Sequence, residues 1–267
     1  MKYKELHIDA LIKACKKNDQ NAQMELYQRY HQPFNTYLMK TTTLFSALLF
    51  ASTILFAQTQ TRNIDAFDGV NVAGHYDVTL VQGSEGSITL SGDSEDLDRI
   101  ETYVKKGELI IKQKKSSWFD SWNSGKVKIS IPVEDIDQVV LSGSGSIRAN
   151  HKLSADEFDI VLSGSGEIVL NIETKNLGGV LTGSGDIELR GKTTAASFRL
   201  TGSGDIKAST FKSVEAQANI TGSGDIEMHS SSKVSANITG SGDIVCYGNP
   251  QIQQIKTTGS GDVRVAN

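Results

Sequence analysis

Several residue types that many functional classes require are scarce in this chain. Its 267 residues include two cysteines, three prolines and two tryptophans, and the formal net charge is −4. Cys15 and Cys246 lie in parts of the chain that we expect cleavage to separate, so the sequence predicts no disulfide framework. The slightly acidic balance gives no reason to expect nucleic acid as a partner, because nucleic-acid-binding proteins usually present a basic face.

Long apolar runs are also scarce. The main one follows Lys40 and ends at Ala57, before a polar stretch. A basic start, a short apolar centre and a small residue at the cut are typical of a secretory signal peptide. The run is shorter than the roughly 20 apolar residues of a membrane-spanning helix. We therefore predict that residues 39–57 are a signal peptide and that the protein is exported, to the periplasm, the outer-membrane surface or the medium. The alternative is an uncleaved signal anchor, which would leave the protein attached to the membrane.

Residues 1–38 show helical apolar spacing. Apolar residues from Ile8 to Cys15 fall on one face, and Asn18 or Asp19 is placed to cap a second helix. The segment resembles the start of extracytoplasmic-function sigma factors, but no promoter-binding helices follow it. We interpret it as a helical extension produced by a wrongly assigned start, with the true start at residue 39, or by a gene fusion. The rival interpretation is a real cytoplasmic segment ahead of a signal anchor.

The pattern of residues 61–135 predicts an irregular, β-rich lead-in. Apolar and polar residues alternate strictly over 67–72 and 76–81, which indicates half-buried strands. The stretch 93–100 has the pattern of a short capped helix. Further strands are predicted at 87–90, 108–113 and 126–131.

A turn-rich stretch within this lead-in, residues 114–125, carries both tryptophans. Trp118, Phe119 and Trp122 are candidates for contact with a sugar or a protein partner, since aromatic rings offer large contact areas. The alternative is that one or two of these rings cover the end of the fold as part of its core.

Seven copies of Gly-Ser-Gly dominate the second half of the chain. They begin at Gly143, Gly164, Gly183, Gly202, Gly222, Gly240 and Gly259. A period of about 19 residues is the signature of a solenoid, in which each repeat forms one rung. It is too short for a propeller blade of about 40 residues.

Residues at fixed offsets from the motif form apolar columns. Two positions after each copy stand Ile147, Ile168, Ile187, Ile206, Ile226, Ile244 and Val263. Two positions before each copy stand Leu141, Leu162, Leu181, Leu200, Ile220, Ile238 and Thr257. This spacing predicts two alternating strands in each rung, with Gly-Ser-Gly at the corner between them and a loose turn such as residues 190–194 on the other side. We therefore predict an all-β protein in which residues 136–267 form a parallel β-helix.

The last rung differs from the others. Thr257 interrupts its apolar column, and no obvious capping segment follows. An exposed strand edge invites pairing with another chain. We therefore predict that the solenoid ends support a homo-oligomer or are buried by a partner.

The order of these parts resembles the family of putative auto-transporter adhesins with a head GIN domain. The resemblance covers about residues 61–265 and is carried by segments 67–70, 77–83 and 107–111 together with the Gly-Ser-Gly repeats. It implies a β-helix fold and export in Bacteroidetes-type bacteria. It brings no catalytic residues to this chain.

The residue directly after each motif is acidic in all but the first copy, where Ser146 stands, and Glu167 follows in the second. The remaining five are Asp186, Asp205, Asp225, Asp243 and Asp262. Stacked carboxylates of this kind bind Ca²⁺ or accept hydrogen bonds from backbone N–H groups at the corner. We favour the second interpretation, because Ca²⁺ takes six to eight oxygen ligands and this corner supplies few other side-chain oxygens. No cofactor is therefore expected.

Three functional hypotheses follow. The first is an exported, non-catalytic solenoid that acts as an adhesin or binds a surface ligand, either a glycan or a protein. The second is a polysaccharide-acting β-helix enzyme, which would need a catalytic patch built from residues that differ between rungs. The third is a transcription-linked regulator that acts through residues 1–38. The near-identical rungs favour the first hypothesis and predict that the protein is not an enzyme.

Overall fold

The computed structural model describes residues 7–29, 58–114 and 126–266. The chain divides into two compact units, residues 1–56 and 57–267. In the first unit, helix α1 spans Ile8–Cys15 and helix α2 spans 20–29. The Asp19 carboxylate accepts hydrogen bonds from the backbone N–H groups of Asn21 and Ala22, which confirms Asp19 as the cap of the second helix. The predicted signal segment, 39–57, lies outside the described residues.

The described residues of the second unit form sixteen strands and one short helix. The lead-in contains β1 Gln58–Asn63, β2 Gly69–Gly74, β3 Asp77–Gln82, β4 Ser87–Gly92, α3 Ser94–Asp98, β5 Ile100–Lys105, β6 Glu108–Gln113, β7 Lys128–Val133 and β8 Gln138–Gly143. The rungs contain β9 Ser146–Gly164, β10 Glu167–Gly183, β11 Asp186–Gly202, β12 Asp205–Gly222, β13 Ile226–Gly240, β14 Ile244–Tyr247, β15 Gln251–Gly259 and β16 Val263–Ala266.

Parallel pairing joins successive rungs and confirms the predicted β-helix. The solenoid has about seven turns with roughly 19 residues per rung. Each motif lies directly above the previous one, so that Gly183 pairs with Gly202, and Ile187 with Ile206. The lead-in belongs to the same structure, because β2 pairs with β8, and β3 with β9, in the same parallel sense.

Both glycines of the motif are required by close stacking. Gly202 has φ +130°, and a Cβ there would collide with the carbonyl oxygen of Gly183 in the rung before. A Cβ at Gly204 would collide with the carbonyl oxygen of Gly185 in the same way. The serine between them faces outward, so its side chain is not constrained by the stack.

The predicted apolar columns form one continuous core. The isoleucines from Ile147 to Ile244 are fully buried, as are the leucine and isoleucine residues from Leu141 to Ile238. Cys246 lies within this core, and burial raises the pKa of its thiol to about 11. It therefore packs as a small apolar side chain.

The unequal repeat lengths are absorbed on one side of the solenoid. The register between β9 and β10 shifts between Val169 and Asn171, and the register between β11 and β12 shifts between Glu188 and Gly191. The Gly-Ser-Gly corner and the strand that precedes it keep their register from β9 to β13, and between β13 and β15 one shift occurs between Val234 and Ser235. We call the Gly-Ser-Gly corner and the strand before it the regular face, and the part of each rung that contains these shifts, after the corner, the variable side. The two are separate surfaces.

The expectation of a loose turn at residues 190–194 was wrong. These residues lie inside β11, and residues 191–193 pair with the rungs on both sides. The reason is a buried hydroxyl: Thr193 Oγ1 lies 3.0 Å from the carbonyl oxygens of Lys175 and Ala195. Thr174, Ser213 and Ser230 occupy equivalent positions in other rungs and contact carbonyl oxygens in the same way. This hydroxyl ladder satisfies backbone carbonyls at the second corner.

The two ends of the solenoid differ. At the first end, β1 and β4 pair antiparallel, β4 and β7 pair antiparallel, and so do β5 and β6. Helix α3 packs beside β4 and β5 and buries Leu97. At the other end, β15 is exposed along its whole length. No helix within 7–29 or 58–114 is both long and apolar enough to cross a membrane.

Candidate functional site

The acidic ladder at the Gly-Ser-Gly corner is held by backbone hydrogen bonds between rungs. Asp225 N–H donates to the Oδ1 of Asp205 at 3.2 Å, and Asp243 N–H donates to the Oδ1 of Asp225 at 2.7 Å. Asp262 N–H donates to the Oδ1 of Asp243 at 2.9 Å. The carboxylates of Asp205, Asp225 and Asp243 therefore each accept the amide of the next member of the column. The amides of Asp186 and Asp205, in contrast, donate to the carbonyl oxygens of Gly166 and Gly185.

Basic side chains two positions further along the strands reduce repulsion within this ladder. Lys207 Nζ lies 3.7 Å from Asp186 and 4.0 Å from Asp205. Arg264 contacts Asp243 at 3.3 Å and Asp262 at 3.0 Å. Arg148 and Glu167 form a similar pair in an earlier rung. Each pair is largely exposed and contributes little alone, but Lys207 and Arg264 each contact two stacked carboxylates and offset the repulsion between them.

The ladder begins earlier than the sequence analysis placed it. The Ser146 hydroxyl donates to the Oδ1 of Asp77 at 3.1 Å, and the two residues pair in register between β3 and β9. Asp77 does not follow a Gly-Ser-Gly motif, so the repeat pattern could not identify it. Among the residues that the structure describes, no group of three or more His, Cys, Asp or Glu side chains is arranged to hold a metal ion. Calcium binding by Asp186, Asp205, Asp225, Asp243 or Asp262 stays a low-ranked prediction.

A groove of about 630 Å³ lies on the variable side of the solenoid. We call it the lysine groove, and its charged lining residues are Lys152, Asp156, Glu173, Lys175 and Lys192. Glu173 contacts both Lys152 and Lys192 at 2.7 Å, and Lys175 contacts Asp156 at 2.8 Å. Hydrogen bonds from these two lysines lower the pKa of Glu173 to about 2. Each of the three lysines therefore contacts a carboxylate, and Glu173 is shared by two of them.

A second groove, of about 350 Å³, follows the second corner of the rungs. There the chain passes from the variable side into the strand that precedes Gly-Ser-Gly. We call this second groove the alanine groove. Its floor is Leu177, Ala196 and Ala216, which are almost fully buried, and the short side chain of Ala195 leaves the space open above it. Its polar rim comprises Asn176, Ser197, Glu215, Gln217, Lys233, Ser235 and Gln253.

The rim of the alanine groove carries no free charge in its central part. Lys233 Nζ contacts Glu215 Oε1 at 2.7 Å, which pairs the two ionic groups on adjacent rungs. The remaining rim residues are amides and hydroxyls, which both donate and accept hydrogen bonds. This arrangement can bind a neutral ligand that has alternating donors and acceptors.

Sequence reasoning missed the alanine groove. Its signal was the run of small residues at one offset, Ala195 and Ala196 in one rung and Ala216 in the next. The residues that were predicted to contact a ligand, Trp118, Phe119 and Trp122, lie outside the described residues. The predicted role of these aromatic residues therefore stays a prediction.

Comparisons with known proteins agree on one family and one fold. Residues 66–250 match the sequence profile of the family described as putative auto-transporter adhesin, head GIN domain. A putative adhesin from Bacteroides fragilis is similar with a TM-score of 0.73 and 22% identity, over 78% of this chain and 96% of that one. A putative adhesin from Parabacteroides merdae gives a TM-score of 0.63 and 23% identity, over 80% and 98%.

One further solved structure carries a different description. A putative lipid binding protein from Parabacteroides distasonis has a TM-score of 0.66 and 26% identity, over 80% of this chain and 98% of that one. No curated protein matches the chain.

Proposed function

Because this chain belongs to the family described as putative auto-transporter adhesin, head GIN domain, we propose that it is an exported, non-catalytic solenoid that binds a ligand at the cell surface or in the periplasm. Support for export comes from the signal-like sequence of residues 39–57. Support for a non-catalytic role comes from the regular face, on which the same residue types recur from rung to rung. A polysaccharide-acting enzyme would need a patch of residues that is unique to a few rungs.

The alanine groove carries the proposal for binding. Its rim presents amides and hydroxyls from successive rungs, which are about 4.8 Å apart along the solenoid. Sugar hydroxyls also donate and accept, so a neutral linear glycan matches this rim. The small apolar floor provides a surface for the carbon faces of the sugar rings. A lipid is less well matched, since an acyl chain would leave the polar rim groups without partners.

Binding to an array of neutral and acidic glycans tests this proposal. Ala195→Trp should block the alanine groove and weaken binding by roughly tenfold or more, because a bulky ring would occupy the ligand's space. The matched control is Thr201→Trp, at an exposed position of the same strand outside the groove. Equal binding by both variants would contradict the assignment of the groove.

The mature N-terminus, measured by mass spectrometry of fractionated cells, tests export independently. A protein that begins near Gln58 in the periplasmic or surface fraction is the expected result. An intact chain in the cytoplasmic fraction would contradict export and leave the groove to be tested separately.

A further inference from the structure

The last rung of the solenoid exposes residues of the kind that every inner rung buries. Ile252 is 55% exposed and Ile255 is 42% exposed, whereas their register partners in β13, Val234 and Ala236, are almost fully buried. Val265 in β16 is 38% exposed above a fully buried cysteine in β14. The apolar core therefore ends at a surface of branched aliphatic side chains.

The backbone at this end is also unpaired. Strand β15 pairs with β13, no other described strand pairs with it, and all nine of its residues are exposed. Its outer edge therefore offers a row of free N–H and C=O groups. An apolar surface bordered by a free strand edge is a site for addition of another strand.

The added strand does not come from the opposite end of another copy of the chain. That end is closed by the antiparallel pairs of β1 with β4 and of β5 with β6, and by helix α3. Its two outermost strands are β1, which has the polar sequence Gln-Thr-Gln-Thr-Arg-Asn and lies in the same stack of strands as β16, and β5, which lies in the same stack as β15. Stacking of one end on the other would place β5 against the exposed isoleucines, and neither β5 nor β1 exposes a large apolar side chain, so the opposite end offers no matching apolar surface.

The exposed apolar end of one copy matches the same end of a second copy. We propose that two copies of this chain associate through β15 and β16 in a two-fold dimer, with the two β15 strands antiparallel. Each copy then covers the exposed aliphatic side chains of the other and pairs its free strand edge. Such an interface uses the same surface twice and closes on itself, so it ends at two copies rather than forming a filament.

The charges at this end permit the approach of a second copy. Lys256 is the single charged residue of β15. Arg264 of β16 is paired with Asp262 and Asp243. Two copies therefore meet without opposing rows of like charge, which would otherwise weaken pairing between strands.

Sedimentation velocity of the full chain over a range of concentrations tests the dimer. The wild type should show a reversible change from monomer to dimer and no larger species. Ile255→Lys should raise the dimer dissociation constant by roughly tenfold or more, since it buries an unpaired charge in the interface. The matched control is Thr239→Lys, an exposed position one strand further from the edge, which should dimerise like the wild type.

Hydrogen exchange provides a second measurement that needs no substitution. Amides of β15 should become more protected as the protein concentration rises, while those of β1 at the opposite end should not change. A monomer at all concentrations, species larger than a dimer, or a dimer unaffected by Ile255→Lys would each overturn the proposal.

Discussion

The carboxylate of Asp225 accepts the backbone N–H of Asp243 across one rung, with 2.7 Å between the oxygen and the nitrogen. The same relationship joins Asp205 to Asp225 and Asp243 to Asp262. These three hydrogen bonds join successive Gly-Ser-Gly corners, and in each of the three carboxylates Oδ1 has a backbone partner.

Substitution of Asp225 should separate the hydrogen bond from the charge. Asp225→Asn retains a side-chain oxygen that can accept the Asp243 amide, so its effect on the free energy of unfolding should be small. Asp225→Ala removes the acceptor and should destabilise the protein by about 1 kcal/mol. Chemical denaturation of the two variants measures the difference, and equal losses would show that the hydrogen bond is not the ladder's main contribution.

Calorimetric titration with Ca²⁺ decides the metal question for the same residues. We expect no tight stoichiometric binding, because each site would offer too few oxygens. Tight binding that both Asp205→Asn and Asp225→Asn abolish would instead make calcium-dependent adhesion the leading mechanism.

The inner glycine of the motif should tolerate no side chain. A Cβ at Gly204 would collide with the carbonyl oxygen of Gly185 and lie 2.9 Å from its nitrogen. Gly204→Ala should therefore cost about 1–3 kcal/mol of stability through forced displacement of the rungs. Ser203→Ala, at the exposed position beside it, should change the melting temperature little. Similar melting temperatures for both variants would mean that the rungs can move apart more easily than this close stacking indicates.

The repeat made the regular part of the fold predictable. Residues on both sides of Gly-Ser-Gly recur at fixed offsets, so the buried positions from Ile147 to Ile244 could be read from the sequence. The variable side was not predictable in the same way, because register shifts such as that between Glu188 and Gly191 remove the fixed offset. The hydroxyl ladder lies on that side, and its member Thr193 falls in residues 190–194, which the sequence analysis interpreted as a loose turn.

The candidate site was less predictable than the fold for a related reason. A groove forms where side chains are short. Ala195 and Ala216 indicate a groove only once their neighbours on adjacent rungs are known. The acidic ladder was visible because it follows the motif directly. Its extension to Asp77 depended on pairing between β3 and β9, which crosses a long sequence separation.

The hydroxyl ladder should contribute measurably to stability. Thr193→Val keeps the shape of the side chain but leaves the carbonyl oxygens of Lys175 and Ala195 without the hydroxyl. The expected cost is about 1–3 kcal/mol in the free energy of unfolding, measured by chemical denaturation. Thr194→Val, at the exposed neighbour, is the matched control and should have little effect. A neutral Thr193→Val would show that backbone partners alone satisfy these carbonyls.

Acid should remove the stabilisation that the charge of Glu173 gives to the lysine groove. The pKa of Glu173 is lowered from 4.5 to about 2 by hydrogen bonds from Lys152 and Lys192. A carboxyl with a lowered folded-state pKa stabilises the fold above its unfolded pKa, and this contribution is lost as the pH falls from 4.5 towards 2. Glu173→Gln should therefore melt slightly earlier than the wild type at pH 7, and the difference should disappear near pH 2. A difference that persists at pH 2 would assign the effect to packing rather than to charge.

The inward and outward register of the rungs can be tested with one introduced side chain at two adjacent positions. Ile226 is fully buried in the apolar column, and Glu227 beside it faces outward. Ile226→Asp should cost about 4 kcal/mol or more, because it places a carboxylate without a partner among stacked isoleucines. Glu227→Asp introduces the same side chain where water solvates it and should be nearly neutral. Lys207 would be a poorer control than Glu227, since its replacement also removes the cation between Asp186 and Asp205. Thermal melting of the two variants gives the answer, and comparable losses at both positions would mean that this strand does not alternate between core and solvent.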